Sequence, residues 1–141
     1  MTTRRASGNR AYSRCIMCGE KNLLSLRLKF EEESSGAVSA MFQGNSRLQG
    51  YDGIMHGGVI SALLDSAMTN CLLRRNIEAV TAELKVRFLM PVPYNSCLKL
   101  RAWIVEENRV LYKLKSELTM ADTVMARAEA LFVPGGVGNG K

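Results

Sequence analysis

The chain has 141 residues, 47% of them apolar and 23% charged, with a formal net charge of +6. That length suits one ordinary core and crowds two. No apolar run reaches the roughly 18 residues of a membrane span and no apolar stretch follows the basic start, so a soluble, cytoplasmic protein without a membrane partner is expected.

Residues 1–14 carry Arg4, Arg5, Arg10 and Arg14 among Ser, Thr, Gly and Asn, the composition of a flexible basic tail. A nucleic-acid partner is not expected, because no helix-turn-helix pattern, zinc-finger spacing or aromatic platform accompanies that charge. The folded body is expected over 15–134 and opens on Cys15 and Cys18. With Cys71 and Cys97 these read as thiols in a chain without an export signal. Leu24, Leu26, Leu28 and Phe30 then alternate with polar residues, and Val38, Ala40 and Phe42 repeat the pattern after Ser34-Ser35-Gly36, which predicts a two-strand hairpin. From Val59 to Arg74 the period changes. Ile60, Leu63, Leu64, Ala67, Met68 and Cys71 recur at helical spacing and form the core face of one long helix. After Asn76 the period of two returns through Val80, Ala82, Leu84, Val86 and Phe88, until Pro91-Val92-Pro93 ends that strand. Strands over 97–106, 109–118 and 123–133 follow, linked through Glu107-Asn108 and Ala121-Asp122. Residues 135–141 are a glycine-rich tail expected to be flexible.

Strand, strand, helix and four strands with short links make an α+β domain: one long helix on an antiparallel sheet of about six strands. One helix covers one face only, and a second subunit is an economical cover for the apolar surface left over.

The stretch GIMHGGVISALLD, residues 53–65, holds the chain's single histidine. Gly57 and Gly58 at a helix start leave amide N–H groups bare, with the positive end of the helix dipole behind them. That suits a carbonyl oxygen gaining negative charge; the plainer alternative is that the glycines permit a tight turn. Ser61, Asp65 and Thr69 stack at intervals of four opposite the core face. A solvated face is the plain reading of that stripe, but its poverty of charge equally fits a covered surface with Asp65 as a candidate functional carboxylate inside the cover. A single histidine provides no ligand set for a catalytic metal, and Cys15 with Cys18 is half a zinc site at most, so neither a metal nor another cofactor is expected.

YDGIMHGGVISALLD resembles the helix-start signature of the hotdog-fold acyl-CoA thioesterases, in particular the PaaI-like group, in which HGG precedes an acidic residue at this spacing. VTAELKVRFLMPV is similar to that family's proline-ended strand, and CIMCGEKNLLSLRLKF to a Cys-x-x-Cys-Gly opening found in a subset. The resemblance implies a hotdog fold, with the helix wrapped by the sheet, and hydrolysis of an acyl- or aryl-CoA thioester. It implies Asp65 as nucleophile or general base and Gly57, assisted by Gly58, as oxyanion-hole amides. His56 would orient the turn, and Thr81, from the neighbouring subunit's strand, would sit near the carboxylate or water, with Glu83 competing for that place. Gln49 is a candidate for a family polar residue upstream of HGG. The family pairs sheets edge to edge, which implies a homodimer with the active site between subunits, and a dimer of such dimers as a homotetramer. Lys85, Arg87, Lys99, Arg101, Arg109, Lys113 and Lys115 point outward on the predicted strands, and none is assigned to coenzyme A. Two alternatives stand beside hydrolysis: a non-catalytic acyl-CoA-binding module, and a hydratase or dehydratase, for which Asp52 and His56 are one residue too close.

Overall fold

The computed structural model describes residues 12–135; residues 1–11 and 136–141, which hold most of both predicted tails, lie outside the described residues. Tyr12 to Arg14, counted above with the tail, are bonded into the body: Lys21 N–H donates to Ser13 O and the Asn22 amide to Arg14 O.

Six strands and one long helix make the fold: β1 (Glu31–Glu32), β2 (Val38–Gln43), α1 (Gly57–Leu73), β3 (Ala79–Phe88), β4 (Cys97–Glu107), β5 (Tyr112–Met120) and β6 (Thr123–Pro134). They form one antiparallel sheet in the order β1-β2-β4-β5-β6-β3. The alternation of period two sets the buried face of each strand. Leu98, Leu100 and Ala102 of β4 and Leu114, Ser116 and Leu118 of β5 are buried toward α1, and on β6 Ala126, Ala128 and Ala130 keep that surface shallow so that the helix can lie close. The Ser116 hydroxyl donates to Leu64 O across that contact, which satisfies a buried polar group. All six residues predicted for the helix core face, Ile60, Leu63, Leu64, Ala67, Met68 and Cys71, are buried.

The first hairpin departs from expectation. Only Glu31–Glu32 pairs with β2, because Arg27 takes a left-handed φ of 54° that breaks the extended run. The amides of Leu26 and Leu28 donate instead to Ile16 O and Met17 O, which ties this segment to the cysteine turn rather than to the sheet. The link between β4 and β5 is also longer than Glu107-Asn108. It spans 108–111, where the Asn108 side chain accepts from the amides of Val110 and Leu111. Between β5 and β6, Ala121 and Asp122 both have positive φ, as a two-residue hairpin turn demands.

A bulge at Ala82 decides the faces of β3. Thr81 pairs with Phe132, yet Glu83 pairs with Leu131, so the two no longer share a face. Thr81 lies on the side of the buried Phe132, toward α1, whereas Glu83 lies with the half-buried Leu131 on the outward side. Glu83 thereby drops out as a competitor for the helix-facing position.

Candidate active site

The segment leading into α1 is held on both sides. Gln49 bridges Met55, Met55 N–H donates to Val92 O at 2.8 Å, and His56 N–H donates to Leu48 O at 2.8 Å. Gly50 permits the crossing, since a Cβ there would stand 3.1 Å from the His56 Cα. His56 is then the N-cap of the helix: its Nδ1 accepts from Gly58 N–H at 2.8 Å, a task that Ser, Thr, Asp or Asn more often performs. An accepting Nδ1 assigns the imidazole proton to Nε2. The imidazole fits because residue 58 is glycine, where a Cβ would lie 2.9 Å from the ring.

This cap corrects one expectation. The Gly58 amide is bound to His56 and is not offered to a substrate, so Gly58 serves the turn rather than an oxyanion. The Gly57 amide has no acceptor among the described residues, and it sits at the first helical position with the dipole behind it. Gln49 is likewise used within its own loop. Its side-chain N–H donates to Ser46 O and its Oε1 accepts from Gly53 N–H, each at 2.7 Å. It braces the lead-in to the helix, and its amide is not directed to Asp65.

Asp65 is half-buried on the stripe of α1 opposite the core. The stripe's hydroxyls are satisfied by the helix itself, Ser61 donating to Gly57 O and Thr69 to Asp65 O. The carboxylate instead faces β3, where the Thr81 hydroxyl donates to Asp65 Oδ1 at 2.7 Å. Thr81 reaches it from the same chain and not, as expected, from a neighbouring subunit, because the bulge at Ala82 turns Thr81 toward α1. No described residue donates to Oδ2, and no described cation pairs with the carboxylate. Burial pushes the Asp65 carboxyl above its ordinary value, and the hydrogen bond from Thr81 pulls against that shift.

The two candidate centres are far apart within one chain. Eight residues separate Gly57 from Asp65 along α1, a rise of about 12 Å at roughly 1.5 Å per residue. A thioester carbonyl accepting from Gly57 N–H cannot also be in contact with Asp65 of the same helix.

Asp65 lines a cavity of about 410 Å³ whose other walls are α1, the start of β3 and the turn Tyr12–Cys18. Sequence reading missed this wall, since Ile16 and Met17 carry no periodic signal. A wider concavity of about 790 Å³ over β3, β4, β5 and β6, between Lys85, Arg87, Trp103 and Arg127, does not include Asp65, and Lys115 and Glu129, which also line it, pair with each other at 3.7 Å. Near the first cavity, burial and the adjacent Cys15 push the Cys18 thiol up to about 12, so it stays protonated. Among the described residues no group of three His, Cys, Asp or Glu side chains is arranged to hold a metal.

Residues 52–126, more than half of the chain, match the family described as the thioesterase superfamily. Among curated proteins the chain is similar to the acyl-coenzyme A thioesterase THEM4 of Rattus norvegicus, 26% identical over 74% of this chain and 46% of the relative. It is similar also to THEM4 of Bos taurus, 29% identical over 74% and 44%. The chain thus spans less than half the length of these curated relatives. Among solved structures, a thioesterase superfamily protein superposes with a TM-score of 0.79 at 27% identity, covering 84% of this chain and 62% of that one. A mutant of the phenylacetic acid degradation protein PaaI from Thermus thermophilus shares the fold with a TM-score of 0.71 at 21% identity, over 78% and 95%. The helix wrapped by six antiparallel strands is the hotdog fold of these proteins, and the chain belongs to the thioesterase superfamily.

Proposed function

We propose that this chain is an acyl-CoA thioesterase whose active site is completed by two copies, Asp65 of one copy facing the Gly57 amide of the other. The roughly 12 Å between these groups along one helix carries the reading. Two antiparallel helices side by side about a twofold axis bring the start of each to the middle of its neighbour. The outer edge of β3 supports such a pairing: the strand is ten residues long, bonded to β6 on one side only, with Val80, Leu84 and Phe88 exposed. Coenzyme A thioesters are the substrate class because the curated relatives are acyl-coenzyme A thioesterases. The site holds an amide for a carbonyl oxygen and a carboxylate for a proton or a carbonyl carbon.

In the reaction the thioester oxygen accepts from Gly57 N–H while water adds to the carbonyl carbon and gives a proton to Asp65 Oδ2. Collapse of the tetrahedral adduct breaks the C–S bond, and the proton passes to the departing thiolate to give free coenzyme A and the carboxylic acid. Thr81 holds Oδ1 and so aims Oδ2. The raised carboxyl makes Asp65 a better base than an ordinary aspartate. The free Oδ2 also permits direct attack, giving an anhydride that water opens. A single turnover in oxygen-18 water reveals direct attack when water opens the anhydride at the aspartyl carbon, because the label then stays in Asp65. The location that accompanies this function is proposed as cytoplasmic; among the described residues no helix is long and apolar enough to cross a membrane.

The test is release of thiol from a panel of aliphatic and aromatic acyl-CoAs by purified protein, followed with a thiol-reactive dye. The parent is expected to hydrolyse members of the panel and Asp65→Asn to lose about 10²- to 10⁴-fold while remaining dimeric by light scattering. An Asp65→Asn variant as fast as the parent refutes the mechanism.

A further inference from the structure

We propose that the cavity between α1 and the turn Tyr12–Cys18 receives the apolar acyl or aryl arm of the thioester, and that this turn limits the size of arm accepted. The kind of ligand rests on the thioesterase reading, but the place rests on observations of its own. Asp65 is in the cavity wall, so an arm seated there has its carbonyl end beside the carboxylate. Ala62, three residues before Asp65 and therefore on the same helix surface, lines the same space. Ile16, Met17, Leu73 and Ala79 add apolar wall suited to hydrocarbon, and the Glu78 carboxylate beside Ala79 makes the space unsuited to the phosphates of coenzyme A. Among its polar members Thr69 is engaged with Asp65 O and Asn70 with Ser66 O, while Tyr12, Ser66 and Glu78 also line the space.

The wall is built and not loosely laid. Met17 N–H donates to the Cys15 sulfur at 3.3 Å, Gly19 N–H to Cys15 O at 2.8 Å, and Leu26 and Leu28 hold the outer side through Ile16 O and Met17 O. Gly19 is required by the turn, since a Cβ there would lie 2.4 Å from the Cys15 nitrogen. The match to the thioesterase superfamily spans residues 52–126, so the turn Tyr12–Cys18 lies outside the residues matched by that family. Cys15 and Cys18 act here as the frame of a specificity wall. The volume, about 410 Å³, gives room for about fourteen water-sized groups at roughly 30 Å³ each. A phenyl ring or a medium-length chain fits within that space, and a hexadecyl chain would extend past it.

The test measures binding of non-hydrolysable S-alkyl-CoA thioethers from ethyl to hexadecyl, and of S-benzyl-CoA, by calorimetry and thermal shift. In the parent, affinity is expected to rise by about fourfold per methylene until the cavity is full and then level off. Ala62→Leu should move the levelling point to shorter chains and Met17→Ala to longer ones. Ile16→Trp, at an exposed wall position, should repeat the narrowing without disturbing the core. S-benzyl-CoA binding more tightly than the hexyl thioether would assign an aryl arm, and the reverse an aliphatic one; either supports the cavity. No dependence on chain length in the parent, or a levelling point unchanged in folded Ala62→Leu and Ile16→Trp, overturns the proposal. A parent that hydrolyses no acyl-CoA but keeps the length-dependent binding would remove the enzymatic reading and leave this assignment standing.

Discussion

The two edges of the sheet are built in opposite ways. β1 is two residues long, both of them exposed glutamates, and the Glu33 that follows is held by Arg101 at 3.1 Å. β3 is ten residues long and carries exposed Val80, Leu84 and Phe88, with Leu89 and Met90 exposed just beyond. Short length and like charges at an edge discourage strand addition, whereas a long apolar edge invites it. The edge that invites pairing also carries Thr81, the hydroxyl bound to Asp65. In the proposed dimer, assembly and chemistry share this one strand, and the guarded edge carries neither.

The largest effect that would sharpen this contrast is at Asp65. Beyond the loss of hydrolysis, Asp65→Asn should raise the melting temperature at neutral pH. The folded carboxyl is raised above its ordinary value, so the stability it contributes is present below that value and is lost as pH rises through the folded one. Asparagine removes the buried charge, and its advantage over the parent should vanish in acid; scanning calorimetry at several pH values checks both ends. An advantage that grows in acid would reverse the sign of this argument.

Next in size is the β3 edge. Val80→Lys with Leu84→Lys places like charges against their own copies across a twofold axis. Sedimentation should show monomers, and thiol release should fall by about 10²- to 10³-fold, the cost of an oxyanion amide removed from the site. A fully active monomer would break the link between edge and chemistry. Thr81→Val is smaller. It removes the bond that favours the ionised carboxylate, so the acid limb of the kcat/KM profile should move to higher pH, with about a tenfold loss at neutrality. A shift to lower pH would mean that Thr81 does not donate to the carboxylate. Smallest is the guarded edge: Glu31→Thr with Glu32→Thr should leave rate and dimer size unchanged and alter stability by no more than about 0.5 kcal/mol.

Much of the fold was legible because burial on one face imposes a period. The helix core from Ile60 to Cys71 and the alternation in β4, β5 and β6 could be read directly. What failed turned on single residues whose backbone overrides the pattern. The alternating leucines before Phe30 look like a strand, but the left-handed Arg27 sends their amides to the cysteine turn. The bulge at Ala82 adds one residue to β3, separates Glu83 from Thr81, and brings Thr81 to Asp65 of its own chain. At the candidate site, the half-burial of Asp65 and the bare Gly57 amide were legible from charge pattern and helix-end chemistry. The use of the Gly58 amide by His56 was not, since an imidazole cap depends on the ring's rotation and leaves no spacing signal. Nor was the Tyr12–Cys18 wall, which is a matter of tertiary contact between segments some fifty residues apart.

The proposed sharing of one site between two copies can be tested by complementation. Gly57→Pro removes the amide alone: proline suits the first helical position, His56 already has the extended backbone that a following proline needs, and a Cβ at residue 57 meets only the Phe88 ring at 3.5 Å. Gly57→Pro and Asp65→Asn should each be nearly inactive. Mixed in equal amounts and allowed to exchange subunits, they are expected to recover about a quarter of the parent's thiol release, since half of random pairs are mixed and each holds one intact site of two. A mixture no more active than its components, with exchange verified by mass spectrometry, would contradict an active site built from Asp65 of one copy and Gly57 of another.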